Sequence, residues 1–261
     1  MTTLESAPVP VPTPTRRSLR AAAVRWYYPG VALLLLAMAL WGFKDFYFAG
    51  RAYPDRPITP PIRVLVIAHG VAMMAWMLLF AVQPTLIAVR KRRVHMTLGL
   101  AGVGLAACVV VLGMLIGVYS ARVAPPDFVL WTLLPKQFAA VPLCSVTLFG
   151  VFVAVGVRHR RKPKVHRPMM LCATFSVMAA AIGRIGPLND LYLGTTLEHV
   201  FGPFLFAQVL MGLVLVVHRV LTGSFEKWLW IGFGVLTVAS PLIMVIGRTG
   251  VWESFMSLFV A

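Results

Sequence analysis

The chain has 261 residues, of which 59% are hydrophobic and only 12% are charged, and its mean hydropathy is +0.85. Soluble domains carry roughly a quarter charged residues, so this composition excludes an ordinary water-soluble fold. The net charge is +16, from 24 Lys and Arg against 8 Asp and Glu. Because the basic residues fall in short loops between apolar segments, we interpret them as topology signals and contacts to anionic lipid, and expect no nucleic-acid partner.

Residues 1–26 are predicted to form a disordered cytoplasmic tail. Positions 7–15 read Ala-Pro-Val-Pro-Val-Pro-Thr-Pro-Thr, and this proline-rich run cannot form the apolar region of a cleaved signal peptide. Its composition is typical of a segment that buries too little apolar surface to fold. Several arginines between positions 16 and 25 then lead into the first apolar segment.

Seven later segments are long and apolar enough to cross a bilayer, which takes about 20 residues each. The sequence therefore predicts an all-α fold, a polytopic transmembrane helix bundle with seven spans in one membrane domain over residues 27–250. A short interfacial tail is expected over 251–261. The predicted spans are 28–48, 62–89, 96–119, 137–157, 168–187, 199–218 and 228–247.

The distribution of charge predicts that the N-terminus lies in the cytoplasm and the C-terminus outside. In this orientation 16 of the 24 Lys and Arg residues are cytoplasmic, and six of the eight acidic residues are on the outer side. The opposite orientation would place the basic clusters 90–93 and 158–167 outside, against the positive-inside rule. We expect a multi-pass protein of the bacterial plasma (inner) membrane, with the lipid bilayer as its partner.

A short internal repeat links two of the basic loops. Residues 90–95 read Arg-Lys-Arg-Arg-Val-His, and residues 161–166 read Arg-Lys-Pro-Lys-Val-His. Each hexamer follows a span that runs inward and precedes one that runs outward, which indicates that spans two and three repeat as spans four and five. Convergence under the positive-inside rule explains the hexamers nearly as well, so both interpretations stay open.

His69 is the strongest candidate functional residue because ionisable groups inside a bilayer are costly. At helical spacing it lines up with Met73, Trp76, Phe80 and Gln83 on one stripe of the second span. A stripe with polar groups at both ends is expected to face the bundle rather than lipid. His69 is interpreted either as a ligand of haem or metal, or as a proton relay, or as a buried histidine bonded to a neighbouring helix.

Three other histidines are candidate ligands. His199 opens the sixth span in the same outer leaflet as His69, so these two are predicted to share a metal ion or a haem iron, although His69 lies deeper. His95 and His166 end the two hexamers and are expected at similar depth on the cytoplasmic side, where they would hold a cofactor between opposing helices. For each of the three, a purely interfacial role is the alternative interpretation.

Arg184 is predicted near the outer end of the fifth span. It follows His166 by 18 residues, or five helical turns, so both should share the inner face. An ion pair with Asp190 or Glu198 would offset the cost of burying its charge. The alternative is an anchor for a carboxylate, a phosphate or a haem propionate, since the guanidinium is a planar fork of donors.

The region of roughly residues 62–220 resembles uncharacterised bacterial multi-pass membrane proteins that carry histidines near the second, third and fifth spans. The stretches concerned are HGVAMMAWMLLFAVQPTLI, RKRRVHMTLG, RKPKVHRPMMLCATF and IGRIG. This resemblance implies a membrane fold. A looser resemblance is to transmembrane b-type cytochromes, and it implies haem b held by paired histidines, here His69 with His199 and His95 with His166.

The sequence leaves three functions open and does not decide whether the protein is an enzyme. The first is a haem-binding or electron-transfer membrane protein, in which Arg184 contacts a propionate or a quinone. The second is a transporter or binding protein for a small, anionic solute, bound at Arg184 with His69 relaying protons. The third is a non-catalytic assembly partner.

Overall fold

The computed structural model describes residues 16–52 and 56–260, with the side chains of residues 16–20 and 56 excepted. Residues 1–15, which form most of the predicted tail, lie outside this description. Seven of the helices in the described part are long and apolar enough to cross a membrane, as predicted. These spans are Ala21–Gly42, Arg63–Ala88, Arg92–Val123, Pro135–Arg158, Pro163–Ile182, Thr196–Thr222 and Lys227–Gly247.

Twelve α-helices and one short antiparallel strand pair make up the regular structure of the described residues. In chain order they are α1 (Arg16–Gly42), α2 (Lys44–Ala49), β1 (Arg51–Ala52), β2 (Arg56–Pro57), α3 (Arg63–Ala88), α4 (Arg92–Val123), α5 (Pro135–Phe138), α6 (Ala140–Arg158), α7 (Pro163–Ile182), α8 (Gly186–Asn189), α9 (Thr196–Phe201), α10 (Leu205–Thr222), α11 (Lys227–Gly247) and α12 (Gly250–Ser257). A 3-10 turn, Gly202–Phe204, joins α9 to α10.

Both ends of the described chain are more helical than predicted. Helix α1 begins at Arg16, inside the segment 1–26 that was expected to be disordered. The reason is local, because Arg, Leu and Ala dominate this stretch and are strong helix formers. The predicted C-terminal tail is also largely a helix, α12, which starts at an N-cap where the Thr249 hydroxyl accepts from the Trp252 N–H. Met256 is fully buried there, so the segment is packed onto the bundle.

Five of the spans form a closed ring. Going round it, α1 packs against α3, α3 against α4, α4 against α6, α6 against α7, and α7 against α1. Helices α10 and α11 pack on the outside of α7. Helix α7 is therefore the most enclosed span, with 78% of its apolar segment buried against 17% for α3.

Small residues let neighbouring helices of the ring approach closely. A Cβ added at Gly113 of α4 would lie 2.7 Å from the Val146 side chain of α6, and one at Gly117 would lie 2.9 Å from Leu143. In membranes, where burial in lipid is as favourable as burial in protein, such backbone proximity supplies much of the packing energy. The contact between α4 and α6 thus depends on glycine at these positions.

The two ends of the bundle differ in charge. The loops 90–93 and 158–167 lie at one end, which we call the basic end. The start of α1 lies there too, since Nε of Arg25 donates to the carbonyl oxygen of Ala88 and the Tyr28 hydroxyl donates to Glu226. The opposite end holds α2, α5, α8, α9 and α12.

Candidate functional site

Two histidines from different helices meet at the basic end. His95 lies in the first turn of α4, and His166 lies in the first turn of α7. Their ring centroids are 6.4 Å apart and their planes are nearly perpendicular, at 84°. Both side chains are half-buried, so each ring keeps part of its surface accessible at the end of the bundle. We call these two residues the histidine pair.

The backbone of α6 fixes the proton positions of His166. Its Nδ1 atom lies 2.9 Å from the carbonyl oxygen of Gly156. A carbonyl oxygen can only accept, so Nδ1 is the donor and the neutral ring keeps its lone pair on Nε2. Metal-binding histidines commonly have this arrangement, with the second ring N–H donated to a backbone carbonyl.

Gln83, near the end of α3, holds the ring of His95. When its amide oxygen accepts from the Gly99 N–H at 3.0 Å, its nitrogen donates to the His95 carbonyl oxygen at 3.2 Å and also to His95 Nδ1. The amide orientation is assigned from these partners. The protein therefore engages Nδ1 of both rings, which leaves a lone pair on Nε2 of neutral His166 and the proton on Nε2 of neutral His95.

Positive charge surrounds the histidine pair. Arg92, one turn before His95, and Arg167, next to His166, both act electrostatically on His95. A field of this sign opposes the binding of a bare divalent cation and attracts anionic groups. The pair is therefore suited to a ligand that carries negative charge close to the rings.

A second polar cluster lies at the same end and joins α1 to the connection between α10 and α11. The Tyr28 hydroxyl donates to Oε2 of Glu226 at 3.0 Å, and Nε2 of His218 lies 3.8 Å from Oε1 of the same carboxylate. The ring of Tyr27 meets the His218 ring edge-on at 5.0 Å, and its hydroxyl donates to the carbonyl oxygen of Val214 at 2.8 Å. We call Tyr27, Tyr28, His218 and Glu226 the tyrosine–glutamate cluster.

Arg167 interacts electrostatically with both this cluster and the histidine pair. Its charge acts on Tyr28 as well as on His95. His218 is 5% exposed, which means that an ionisable group is enclosed by protein here. The basic end thus concentrates titratable groups from α1, α4, α7, α10 and the loop before α11.

The predicted stripe on α3 does face the bundle. Trp76 is buried, its Nε1–H donates to the Thr174 hydroxyl of α7 at 3.3 Å, and its ring meets Phe149 of α6 edge-on at 4.8 Å. Met73 and Phe80 pack against the same core. The stripe therefore runs through the middle of the helix ring, from His69 at one end to Gln83 and the histidine pair at the other.

His69 and Arg184 lie together at the opposite end. Nδ1 of His69 is buried, and no hydrogen-bond partner for it occurs among the described residues. The charge of Arg184 acts on this ring. The Arg184 guanidinium lies over the ring of Phe43, 4.6 Å from its centroid, and its Nη1 donates to the carbonyl oxygen of Ala180.

His199 does not join His69. It lies in α9, which packs against α10 and α11, whereas α3 packs against α1 and α4. Its Nδ1 atom is 3.4 Å from Nη2 of Arg248, which also donates to the Thr132 hydroxyl at 2.7 Å. Desolvation lowers the pKa of Arg248 from its usual value. Within the described part of the chain no ring contact or hydrogen bond links His69 to His199, so the shared ligand predicted for them has no geometric support.

The number of metal-ligating side chains that lie close together limits the kinds of metal centre that the described residues can form. Across residues 16–52 and 56–260 there is no group of three His, Cys, Asp or Glu side chains that would enclose a metal ion. Two histidine nitrogens suffice for a metal whose other ligands come from a cofactor, as in haem. A metal bound to two Nε2 atoms through bonds of about 2 Å separates the ring centroids by about 6 Å at most. The ring centroids of the histidine pair are 6.4 Å apart, which is close to this limit.

Comparison of the chain with protein-family models, with curated proteins and with solved structures gives no match. The functional interpretation therefore rests on the geometry of the two ends of the bundle.

Sequence reasoning missed the tyrosine–glutamate cluster. Tyr27 and Tyr28 follow a basic segment and are typical of an aromatic belt, and Glu226 follows a Gly-Ser turn that is typical of an exposed loop. The available signal was that Glu226 is the one acidic residue in the predicted cytoplasmic loops. An acid that departs from the local charge pattern is a candidate for a specific partner.

Proposed function

We propose that the chain is a haem-binding electron-transfer protein of the bacterial plasma membrane, with haem b between His95 and His166. The observation that carries this proposal is the spacing and near-perpendicular arrangement of the two rings. Seven spans support a multi-pass membrane protein. The positive-inside rule supports a cytoplasmic position for the basic end and for the N-terminus.

The residues around the pair have matching roles in this proposal. Gly156 orients the His166 ring so that Nε2 presents its lone pair. Arg92 and Arg167 supply the positive charge that haem propionates require. Arg184 belongs to the other end and does not take part, contrary to the propionate role considered for it from the sequence. Bound haem would supply a one-electron carrier whose potential depends on its axial ligands and their hydrogen bonds.

A reduced-minus-oxidised absorption spectrum of protein produced with haem supplied tests the proposal. We expect the α-band of a b-type haem in the wild type and its loss in His95→Ala and in His166→Ala. His159→Ala is the matched control, because His159 lies in the same basic loop with its Nδ1 3.0 Å from the carbonyl oxygen of Val155. Absence of the band in folded wild-type protein would refute haem binding.

Proton transfer is the second candidate, and the orientation of Gln83 favours it. If Gln83 donates to Nδ1 of His95, the neutral His95 ring carries its proton on Nε2, while His166 presents a lone pair on Nε2. A donor and an acceptor on neighbouring rings are the elements of a proton relay. This arrangement supports a role in proton transfer across the basic end.

Proteoliposomes loaded with a pH-sensitive dye distinguish the second candidate from the first. A relay predicts proton flux under an imposed potential that falls in His95→Ala and His166→Ala and persists in His159→Ala. Flux equal to that of empty liposomes would count against it. Iron ligation by His95 instead requires the Gln83 amide to turn over, so that its oxygen accepts from Nδ1–H.

A further inference from the structure

An open cavity lies beside the start of α3, at the end of the bundle opposite the basic end. It has a volume of about 860 Å³. Ligand sites in proteins commonly have volumes of about 300–1,000 Å³, so the cavity is large enough for a sizeable group. Its lining includes Phe46, Tyr47 and Arg51 on one side and Arg63, Ile67 and Val71 of α3 on the other.

The α3 wall of the cavity faces away from the bundle core. Arg63, Ile67 and Val71 follow one another at intervals of four residues, so they lie on one face of the helix. All three side chains are exposed, whereas Trp76, on the inward stripe, is buried. His69 follows Ile67 by two residues, or about 200° around the helix, and lies on the opposite face. Because α3 is a candidate membrane span, the cavity opens on its α3 side towards lipid.

The exposed apolar surface of α3 continues from the cavity towards the middle of the span. Leu78 follows Val71 by seven residues, or two helical turns, and is also exposed. From Ile67 to Leu78 the helix rises about 16 Å at 1.5 Å per residue. This rise is close to the depth of one leaflet, since the hydrocarbon core of a bilayer is about 30 Å thick. An acyl chain that lies along this stripe would therefore have its polar end at the cavity.

The charged residues in the described lining of the cavity are both arginines. Arg63 is exposed and is the first residue of α3, where the apolar span begins. Arg51 is exposed too, but it has a further interaction within the chain, so we assign the main contact to Arg63. A guanidinium keeps its charge at any physiological pH and can donate two parallel hydrogen bonds to a phosphate. The cavity thus places a cation at the polar end of the apolar stripe.

Helix α2 forms a fixed wall next to α3. The Tyr47 hydroxyl donates to the carbonyl oxygen of Gly70 at 3.1 Å. Phe46 covers Gly70 so closely that an added Cβ would lie 2.5 Å from its ring. Tyrosine is enriched where hydrocarbon meets water. The position of Tyr47 therefore agrees with a cavity at the depth where the headgroup and the acyl chains of a lipid meet.

We propose that this cavity binds the headgroup of an anionic phospholipid such as phosphatidylglycerol, with one acyl chain along Ile67, Val71 and Leu78. The phosphate oxygens accept from the Arg63 guanidinium. A soluble anion would gain nothing from the apolar stripe, and a zwitterionic lipid would bring its own cation into the field of two arginines. This site goes beyond the proposed haem or proton function and does not depend on it.

Photo-crosslinking of the full chain in lipid vesicles tests the proposal. The photoreactive residue benzoylphenylalanine replaces Leu78, which lies on the stripe but does not line the cavity. The vesicles contain phosphatidylcholine with a minor share of phosphatidylglycerol, and mass spectrometry gives the ratio of the two crosslinked lipids. Because one arginine at a membrane surface favours anionic lipid by up to about fivefold, we expect phosphatidylglycerol to be enriched at Leu78 by about two- to fivefold.

Leu213 supplies a matched position for the photoreactive residue. It is an exposed leucine near the middle of α10, on a different side of the bundle. Crosslinking there should report the lipid ratio of the vesicle itself. Equal enrichment at both positions would show a general preference of the protein surface for anionic lipid and would overturn the site. Absence of enrichment at Leu78 would also overturn it.

Substitutions of Arg63 locate the headgroup. Arg63→Gln should return the crosslinked ratio at Leu78 to that of the vesicle, and Arg63→Glu should lower it further because like charges repel. Both variants should fold, since Arg63 is exposed. Arg122→Gln should keep the enrichment, because Arg122 is an exposed arginine of the same end that donates to the Phe259 carbonyl oxygen. Enrichment that survives in Arg63→Gln would contradict the contact with Arg63.

Excess glycerol phosphate, added at constant ionic strength, distinguishes a lipid from a soluble phosphate compound. It should leave the crosslinked ratio unchanged, because it lacks the acyl chain that the stripe binds. A ratio that falls to that of the vesicle would overturn the lipid assignment. The haem spectrum of Arg63→Gln should match that of the wild type, since Arg63 lies at the opposite end from the histidine pair. A missing haem band together with intact lipid enrichment would therefore refute the first proposal and leave this one standing.

Discussion

The ring centroids of His95 and His166 are 6.4 Å apart at the basic end, although the two residues belong to different helix hairpins. The hexamer at residues 90–95 connects α3 to α4, and the hexamer at residues 161–166 connects α6 to α7. An axis between two repeated hairpins would bring equivalent residues together in this way. Duplication itself stays a prediction, because the positive-inside rule alone would place both hexamers at the same depth.

Gln83 should control which nitrogen of His95 binds a ligand. In Gln83→Glu the carboxylate can only accept, so Nδ1 of His95 becomes the donor and Nε2 presents its lone pair. We expect tighter haem binding in Gln83→Glu and a loss of about tenfold or more in Gln83→Leu, which removes the polar partner. Haem titration followed by absorbance measures both.

Proton flux should change in the opposite sense. If the pair is a relay, Gln83→Glu places lone pairs on both Nε2 atoms and slows transfer between them. Equal haem affinity and equal flux in all three proteins would show that Gln83 does not set the His95 tautomer. Thr85→Val is the control, because Thr85 lies two residues along the same helix and its hydroxyl donates to the Ala81 carbonyl oxygen.

The number of spans was predictable because each apolar run is long enough to identify by length alone. The inward face of α3 was also predictable, since Trp76 and Gln83 share a helical stripe with His69. The sequence also predicted that His95 and His166 lie at the same end of the bundle, because each of them follows a basic loop. Which helices lie side by side did not follow from the sequence. The pairing of His69 with His199 therefore stays a prediction, with no ring contact or hydrogen bond between them among the described residues.

The tyrosine–glutamate cluster shows a second limit of sequence reasoning. Tyr28 and Glu226 are brought together only when α1 packs beside α10. Periodicity within one helix carries no information on such a contact. A buried histidine such as His218 also has the sequence appearance of an interfacial one, because both follow an apolar run and precede an arginine.

The hydrogen bond from Tyr28 to Glu226 should stabilise the packing of α1. Tyr28→Phe removes the donor and is expected to lower the free energy of unfolding by about 1 kcal/mol, since the acceptor is a carboxylate. Glu226→Gln should cost a similar amount, and the double variant should cost less than the sum because the two changes remove one interaction. Tyr47→Phe, at the opposite end, should add its effect independently. Strict additivity of Tyr28→Phe and Glu226→Gln would contradict the contact.

Gly42 should be intolerant of a side chain. In Gly42→Ala the new methyl group overlaps the Ala181 carbonyl oxygen, so α1 must move away from α7. Overpacking of this kind costs about 1–3 kcal/mol. Gly30→Ala is the matched control in the same helix, because an added Cβ there has no neighbour within 4 Å. That variant should be neutral or more stable, as alanine favours helix. Equal melting temperatures for the two variants would contradict the close approach of α1 and α7.

Thr174 should anchor Trp76 at the centre of the helix ring. Thr174→Val keeps the shape of the side chain and removes the acceptor of the indole N–H, which lies 3.3 Å away. Interhelical hydrogen bonds in membranes contribute about 0.6–2 kcal/mol, and we expect a loss of about 1 kcal/mol in unfolding measured with a denaturing detergent. Thr147→Val is the control, because its hydroxyl donates only to the Leu143 carbonyl oxygen one turn earlier. Stability losses of the same size in both variants would indicate that the bond to Trp76 contributes nothing.

The proposed orientation places the basic end in the cytoplasm, and cysteine labelling in intact cells tests it. Ser224 is exposed in the loop between α10 and α11 at the basic end, and Leu193 is exposed at the opposite end. A membrane-impermeant maleimide should label Leu193→Cys from outside and should label Ser224→Cys only after the membrane is opened. The wild-type chain gives the background, because its three cysteines lie within spans. Labelling of Ser224→Cys in intact cells would reverse the orientation. It would also place the histidine pair on the outer side of the membrane.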